Sequence, residues 1–172
     1  RGAGAQGLLW RDEGIGNTLY LLGTIHVDRD NIYPLSGRLR EIIAGADDAI
    51  FEVVFGDMED TVAFLAMQDY PEGEALRDHE SGALFQAAVA VGAALPQPYT
   101  MDEAAVDRYK PWAYANLVNS VAVLMAKDSL ADPRAVDTYI YNKAVSRGVT
   151  VDAVESYVYQ GELLDSLSGP YQ

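Results

Sequence analysis

The sequence contains no cysteine. Disulfides, thiolate nucleophiles and cysteine-based zinc or iron–sulfur centres are therefore excluded. Histidine is scarce, so imidazole chemistry rests on His26 or His79. Positive charge is also in short supply: 12 Lys and Arg stand against 26 Asp and Glu, giving a formal net charge of −14. A surface this acidic repels a phosphate backbone, which argues against nucleic acid as a partner and favours cations or basic ligands. Long hydrophobic runs are missing too. The apolar stretch Ala87 to Leu95 falls far short of the roughly 18 residues that span a bilayer.

What is present is ordinary for a globular chain. The 172 residues are 49% hydrophobic and 22% charged, which excludes collagen-like and wholly disordered readings. A chain of this size buries about two-thirds of its unfolded surface and needs no covalent staple. Residues 1–7 (RGAGAQG) read as a flexible lead-in, and residues 8–172 as a single α/β domain. The chain begins with Arg1 instead of methionine. A processed or trimmed start is expected, compatible with export and with membrane association through segments outside this chain.

The order of elements follows from periodicity and punctuation. Leu8–Arg11 and Thr18–Leu22 flank a turn-rich segment and predict a β-hairpin. Leu35, Leu39, Ile42 and Ile43 keep helical spacing up to Gly45. Ala49–Val54 predicts a strand, Met58–Met67 a helix, and Ser81–Leu95 an alanine-rich helix. Tyr99–Tyr109 reads as a connection. Lys110-Pro111-Trp112 opens a long helix through Met125, with proline at the first helical position, where no amide partner is needed. Asp132-Pro133 predicts another helix start, Gly148 its end, Val149–Val154 a third sheet strand and Tyr157–Leu167 a final helix. The expected fold is a β-hairpin plus a short mixed sheet with a helical insertion.

Three side chains stand out chemically. His26 follows an apolar strand after Gly23, and the carboxyl ends of strands are where open α/β sheets hold ligands. Position alone leaves it open between a functional imidazole and one that hydrogen-bonds a loop. Glu52 sits in the otherwise apolar run AIFEVV. A buried carboxylate there needs a metal, a cation or several donors. Glu155 ends the third strand in the same manner. If the strands run parallel, His26, Glu52 and Glu155 share one sheet edge. They would form a divalent-cation site, a metal-free acid/base set or a structural network. His79, among charged residues, reads as a solvated helix end, and Trp112 as a core anchor. Gly14-Ile15-Gly16 precedes a strand and is no phosphate loop, and no serine nucleophile elbow is present.

These residues line up with a family. The segment Leu9-Trp10 … Tyr20-Leu21-Leu22-Gly23-Thr24-Ile25-His26-Val27, then Asp47-Asp48-Ala49-Ile50-Phe51-Glu52-Val53, resembles the opening of the TraB/GumN (PrgY, Tiki-like) family. Lys110-Pro111-Trp112 resembles its KPW segment. Asp137 … Ala144 … Gly148 … Val154-Glu155 … Gln160 … Leu164-Asp165-Ser166-Leu167 resembles a later stretch. The resemblance implies an erythromycin-esterase-like or ChaN-like fold and a metal-dependent peptidase-like hydrolase associated with manganese or cobalt. It assigns Gly23 and His26 to a Gly-x-x-His motif, makes His26 and Glu52 the metal or catalytic residues, and gives Glu155 a supporting place. Peptides or proteins are the implied substrates. The implied alternatives are a non-catalytic peptide-binding or signalling-inhibitor module and a metal-free esterase.

The family pattern carries a second Gly-x-x-His, which this sequence lacks; the residue three before His79 is Leu76. The chain is therefore expected to resemble the N-terminal half of the family domain, with weak or no activity of its own. A homodimer would supply two copies of the motif across a symmetric interface. Light scattering over a concentration series is expected to show dimers, and a strictly monomeric species would remove that expectation.

Overall fold

Asp12-Glu13-Gly14-Ile15-Gly16-Asn17 reverses the chain, with the Gly14 amide donating to the Asn17 carbonyl at 3.0 Å. The computed structural model describes residues 9–24, 33–127 and 135–167. They form a mixed α/β protein whose chain divides into two compact units. The first draws on Arg1–Phe55 and Lys127–Val154, and the second on Gly56–Ala126 and Glu155–Gln172.

The first unit holds the expected hairpin, β1 (Leu9–Glu13) and β2 (Thr18–Leu22), paired antiparallel from Leu9↔Leu22 to Glu13↔Thr18. Strand alternation puts Trp10, Leu19 and Leu21 on one face, and all three are more than half exposed. Helix α1 (Gly37–Gly45) is capped by Ser36, whose Oγ accepts from the Leu39 amide at 3.2 Å. It ends at Gly45, as the spacing predicts.

Strand β3 (Asp48–Phe51) pairs in parallel with the later strand 150–153, in register Asp48↔Thr150 to Phe51↔Ala153. A parallel pair requires a crossover, and the helix Val136–Ser146 precedes the second strand. Its Tyr141 ring packs edge-on against Phe51 and Phe55, and its hydroxyl donates to the Phe55 carbonyl at 2.5 Å. Gly148 follows this helix with φ +71°, a left-handed conformation that favours glycine. The predicted start at Asp132-Pro133 lies outside the described residues. Among the described residues the hairpin and the parallel pair are separate two-stranded sheets.

The second unit is helical: α2 (Met58–Ala66), α3 (Leu76–His79), α4 (Gly82–Ala94), α5 (Glu103–Asp107) and α6 (Pro111–Lys127). In the first unit, α7 is the helix Val136–Ser146 and β4 the strand Thr150–Ala153. In the second, α8 spans Tyr157–Ser166.

Helix α6 begins at Pro111, as expected, and α4 is capped by Ser81. Of the short helices, α3 is foreseen only in its end at His79, and α5 lies within the segment read as a connection. Asp102 Oδ1 accepts from the Ala105 amide at 2.8 Å to start α5, and Arg77 binds Asp107 to join α3 to α5. Leu76, Phe85, Val106 and Tyr114 make the buried centre, flanked by Tyr70, Met101 and Val118. Asp60 caps α8, accepting from the Tyr157 and Val158 amides at 2.6 and 3.1 Å. A carboxylate there meets the positive end of the helix. No helix among the described residues is long and apolar enough to cross a membrane.

Gly92 is the tightest point of this core. A Cβ there would lie 2.7 Å from Val106 Cγ2 and 3.2 Å from the Tyr114 hydroxyl oxygen. Gly92→Ala is therefore expected to overpack the unit and cost about 2 kcal/mol. Urea unfolding would show this as a lower midpoint with unchanged slope.

Candidate functional site

The strands place the predicted residues unevenly. His26 lies outside the described residues. Gly23 directly follows β2 and is exposed. Glu52 directly follows β3 at the carboxyl end of the parallel pair. It is exposed, which corrects the expectation of a buried carboxylate. The reason is register. Ala49, Phe51 and Val53 turn inward, while Asp48, Ile50 and Glu52 share the outer face. Ile50, 66% exposed, makes the segment look apolar throughout without being buried on both sides.

Glu155 comes two residues after β4 and belongs to the helical unit. It is partly buried, and its Oε1 accepts from Gln160 Nε2 at 3.1 Å. Among the described residues no three His, Asp or Glu side chains lie together as a metal set. Glu52 offers one hard oxygen donor suited to a divalent cation.

A second constellation was not singled out in the sequence as a site. It lies wholly in the helical unit. Asp165 on α8 accepts from Lys110 Nζ at 2.8 Å through Oδ2 and from Trp112 Nε1 at 3.0 Å through Oδ1. Trp112 is buried, as a core anchor should be, and its ring lies 5.8 Å from that of Phe64. Two segments far apart in the chain thus meet at one carboxylate. Their spacing in the sequence carries the resemblance, but no local pattern announces the contact.

Beside this clamp is a cleft of about 310 Å³, lined by Tyr70, Pro71, Glu74, Lys110, Pro111 and Asp165. Its walls are joined by backbone. The Tyr70 amide donates to the Arg108 carbonyl and the Lys110 amide to the Gln68 carbonyl, each at 2.8 Å. His79 ends α3, as expected, but it is more than a solvated terminus. Its ring stacks on Tyr70 at 4.4 Å, and its Nε2 lies 3.0 Å from Glu74 Oε2. Burial pushes the Tyr70 phenol above its ordinary range, and Glu80, Asp165 and Glu74 add to the rise.

The architecture defines a mixed α/β protein with an acidic carboxylate at a parallel strand end and a clamped helical unit. Residues 8–172 match the TraB/PrgY/gumN family, and the chain belongs to that family. No curated protein and no solved structure matches it.

Burial pushes the Asp165 carboxyl up, but the hydrogen bonds from Lys110 and Trp112 and the Lys110 charge outweigh it, and the net shift is downward. A carboxyl lowered by folding stabilises above its unfolded value of about 3.9 and loses that contribution as pH falls through the folded value. Its side chain is 37% exposed, so solvent screens the pair. Asp165→Asn is expected to cost about 1 kcal/mol at neutral pH. The deficit should begin to shrink below about pH 4, where the carboxyl of the unfolded chain protonates, and disappear once pH falls below the lower folded value. Denaturation midpoints across pH would check both points.

Proposed function

We propose that this chain is a hydrolase-type member of its family acting on peptides or proteins, with His26 and Glu52 as its reacting pair. The observation that carries the reading is the position of Glu52. It is an exposed carboxylate at the carboxyl end of a parallel strand pair, where ligands of α/β sheets collect. The motif Gly23-Thr24-Ile25-His26 supplies the imidazole from the chain that leaves β2.

In this reading Glu52 accepts a proton from the attacking water, and His26 orients that water or donates to the leaving amine. Gly23 leaves the first position of the motif without a side chain. Glu155 accepts from Gln160 within the helical unit, and the reaction written here does not draw on it. Glu52 and an imidazole are ligand types suited to manganese or cobalt. A bound divalent ion would supply a water more acidic than bulk water. The described residues do not by themselves assemble such a set, so metal binding in this reading depends on His26.

Calorimetry with manganese, cobalt and zinc, alongside a screen for peptide cleavage, tests the proposal. Binding that is lost in His26→Ala and in Glu52→Ala is expected, with cleavage lost in parallel. Unchanged metal affinity in both variants would remove the metal role. Cleavage that survives a strong chelator would point to metal-free chemistry. A peptide bound but left intact would favour the non-catalytic binding module.

A further inference from the structure

We infer that the cleft of the helical unit is a binding site for a basic side chain, lysine or arginine, presented by a peptide. The inference concerns recognition and does not rest on hydrolysis at His26 and Glu52.

The first support is shape. At about 310 Å³ the cleft lies at the small end of ligand-sized pockets, which begin near 300 Å³. It is also preformed. Backbone pairing of 68–70 with 108–110 fixes two walls, and the Asp165 clamp fixes the third. A site held in place before binding loses less entropy when a ligand arrives.

The second support is the division of the lining. The lining is mainly polar, with Glu74 and Asp165 giving carboxylates, and Pro71, Pro111 and Tyr70 contribute a smaller apolar part. Lysine and arginine match both parts, with a charged head and an apolar stem. A purely apolar guest would desolvate the carboxylates without replacing their hydrogen bonds.

The third support is the sign of the charge. Lys110, the basic residue of the lining, is engaged by Asp165 at 2.8 Å, so two carboxylates face one ammonium that is already paired. His79 holds Glu74 through Oε2 and covers one face of Tyr70 without lining the cleft itself. A carboxylate has lone pairs beyond the one His79 meets. An anionic guest would meet repulsion, whereas a cation gains from these groups and from the chain's net charge of −14.

The test is an NMR titration of the isotope-labelled full chain, without added metal, using N-acetyl-lysine methylamide and N-acetyl-arginine methylamide. N-acetyl-norleucine methylamide is the neutral control. The basic probes are expected to shift the amides of Tyr70, Glu74 and Asp165 and to bind at least about tenfold more tightly than norleucine. Glu74→Gln keeps a polar partner for His79 and is expected to weaken them about tenfold, the size of a lost charge-assisted contact. Added salt should weaken them as well. Equal binding of norleucine and lysine, no effect of Glu74→Gln, shifts confined to other residues, or no binding of either basic probe would overturn the inference. Because the readout needs neither metal nor cleavage, its failure is distinct from failure of the hydrolase reading.

Discussion

The Asp165 carboxylate is the contact on which the helical unit turns. One oxygen takes the ammonium of Lys110 and the other takes the indole of Trp112, across 55 and 53 residues of sequence. A carboxylate with two acceptor atoms in fixed geometry can hold two donors at once, and here that geometry ties α8 to the opening of α6. The same carboxylate walls the cleft, and Trp112 carries the linkage inward to Phe64. Replacing Asp165 therefore touches a helix start, an aromatic contact and a binding surface together. Neighbours sharing partners in this way are not expected to behave additively.

Local rules explain most of the scaffold. Proline at the start of α6, serine before α4, and glycine after α7 and at the end of α1 all mark boundaries in the sequence where the structure has them, whereas α1 starts at Gly37, after the Leu35 at which its helical spacing begins. The hairpin was equally legible, because two apolar runs surround a segment dense in turn formers. The short helices α3 and α5 were not, apart from the helix end at His79. Four or five residues show no periodicity, and what holds these helices is partly tertiary, in the pairing of Arg77 with Asp107.

The candidate site was legible in part. The parallel direction of β3 and β4 is present, but among the described residues β2, which leads toward His26, belongs to a separate sheet, so no sheet edge shared by all three residues is seen. Glu52 does stand at a strand end, yet it is exposed and not buried. An apolar run hides a strand's alternation whenever one outward position is also hydrophobic, as Ile50 is. The Asp165 clamp was hidden for a different reason. Nothing local distinguishes a lysine and a tryptophan at a helix start from those of any amphipathic helix, and their partner becomes visible only when the helices pack.

The two tryptophans fall one to each unit, and their surroundings are opposite. Trp10 is 53% exposed on the hairpin face, whereas Trp112 is 3% exposed. The chain thus carries a natural optical label for each unit. A cationic quencher such as caesium ion, which this acidic surface does not repel, would reach the first indole and spare the second. Emission from the second would remain blue until the helical unit opens, so a single fluorescence trace could separate the melting of one unit from that of the other.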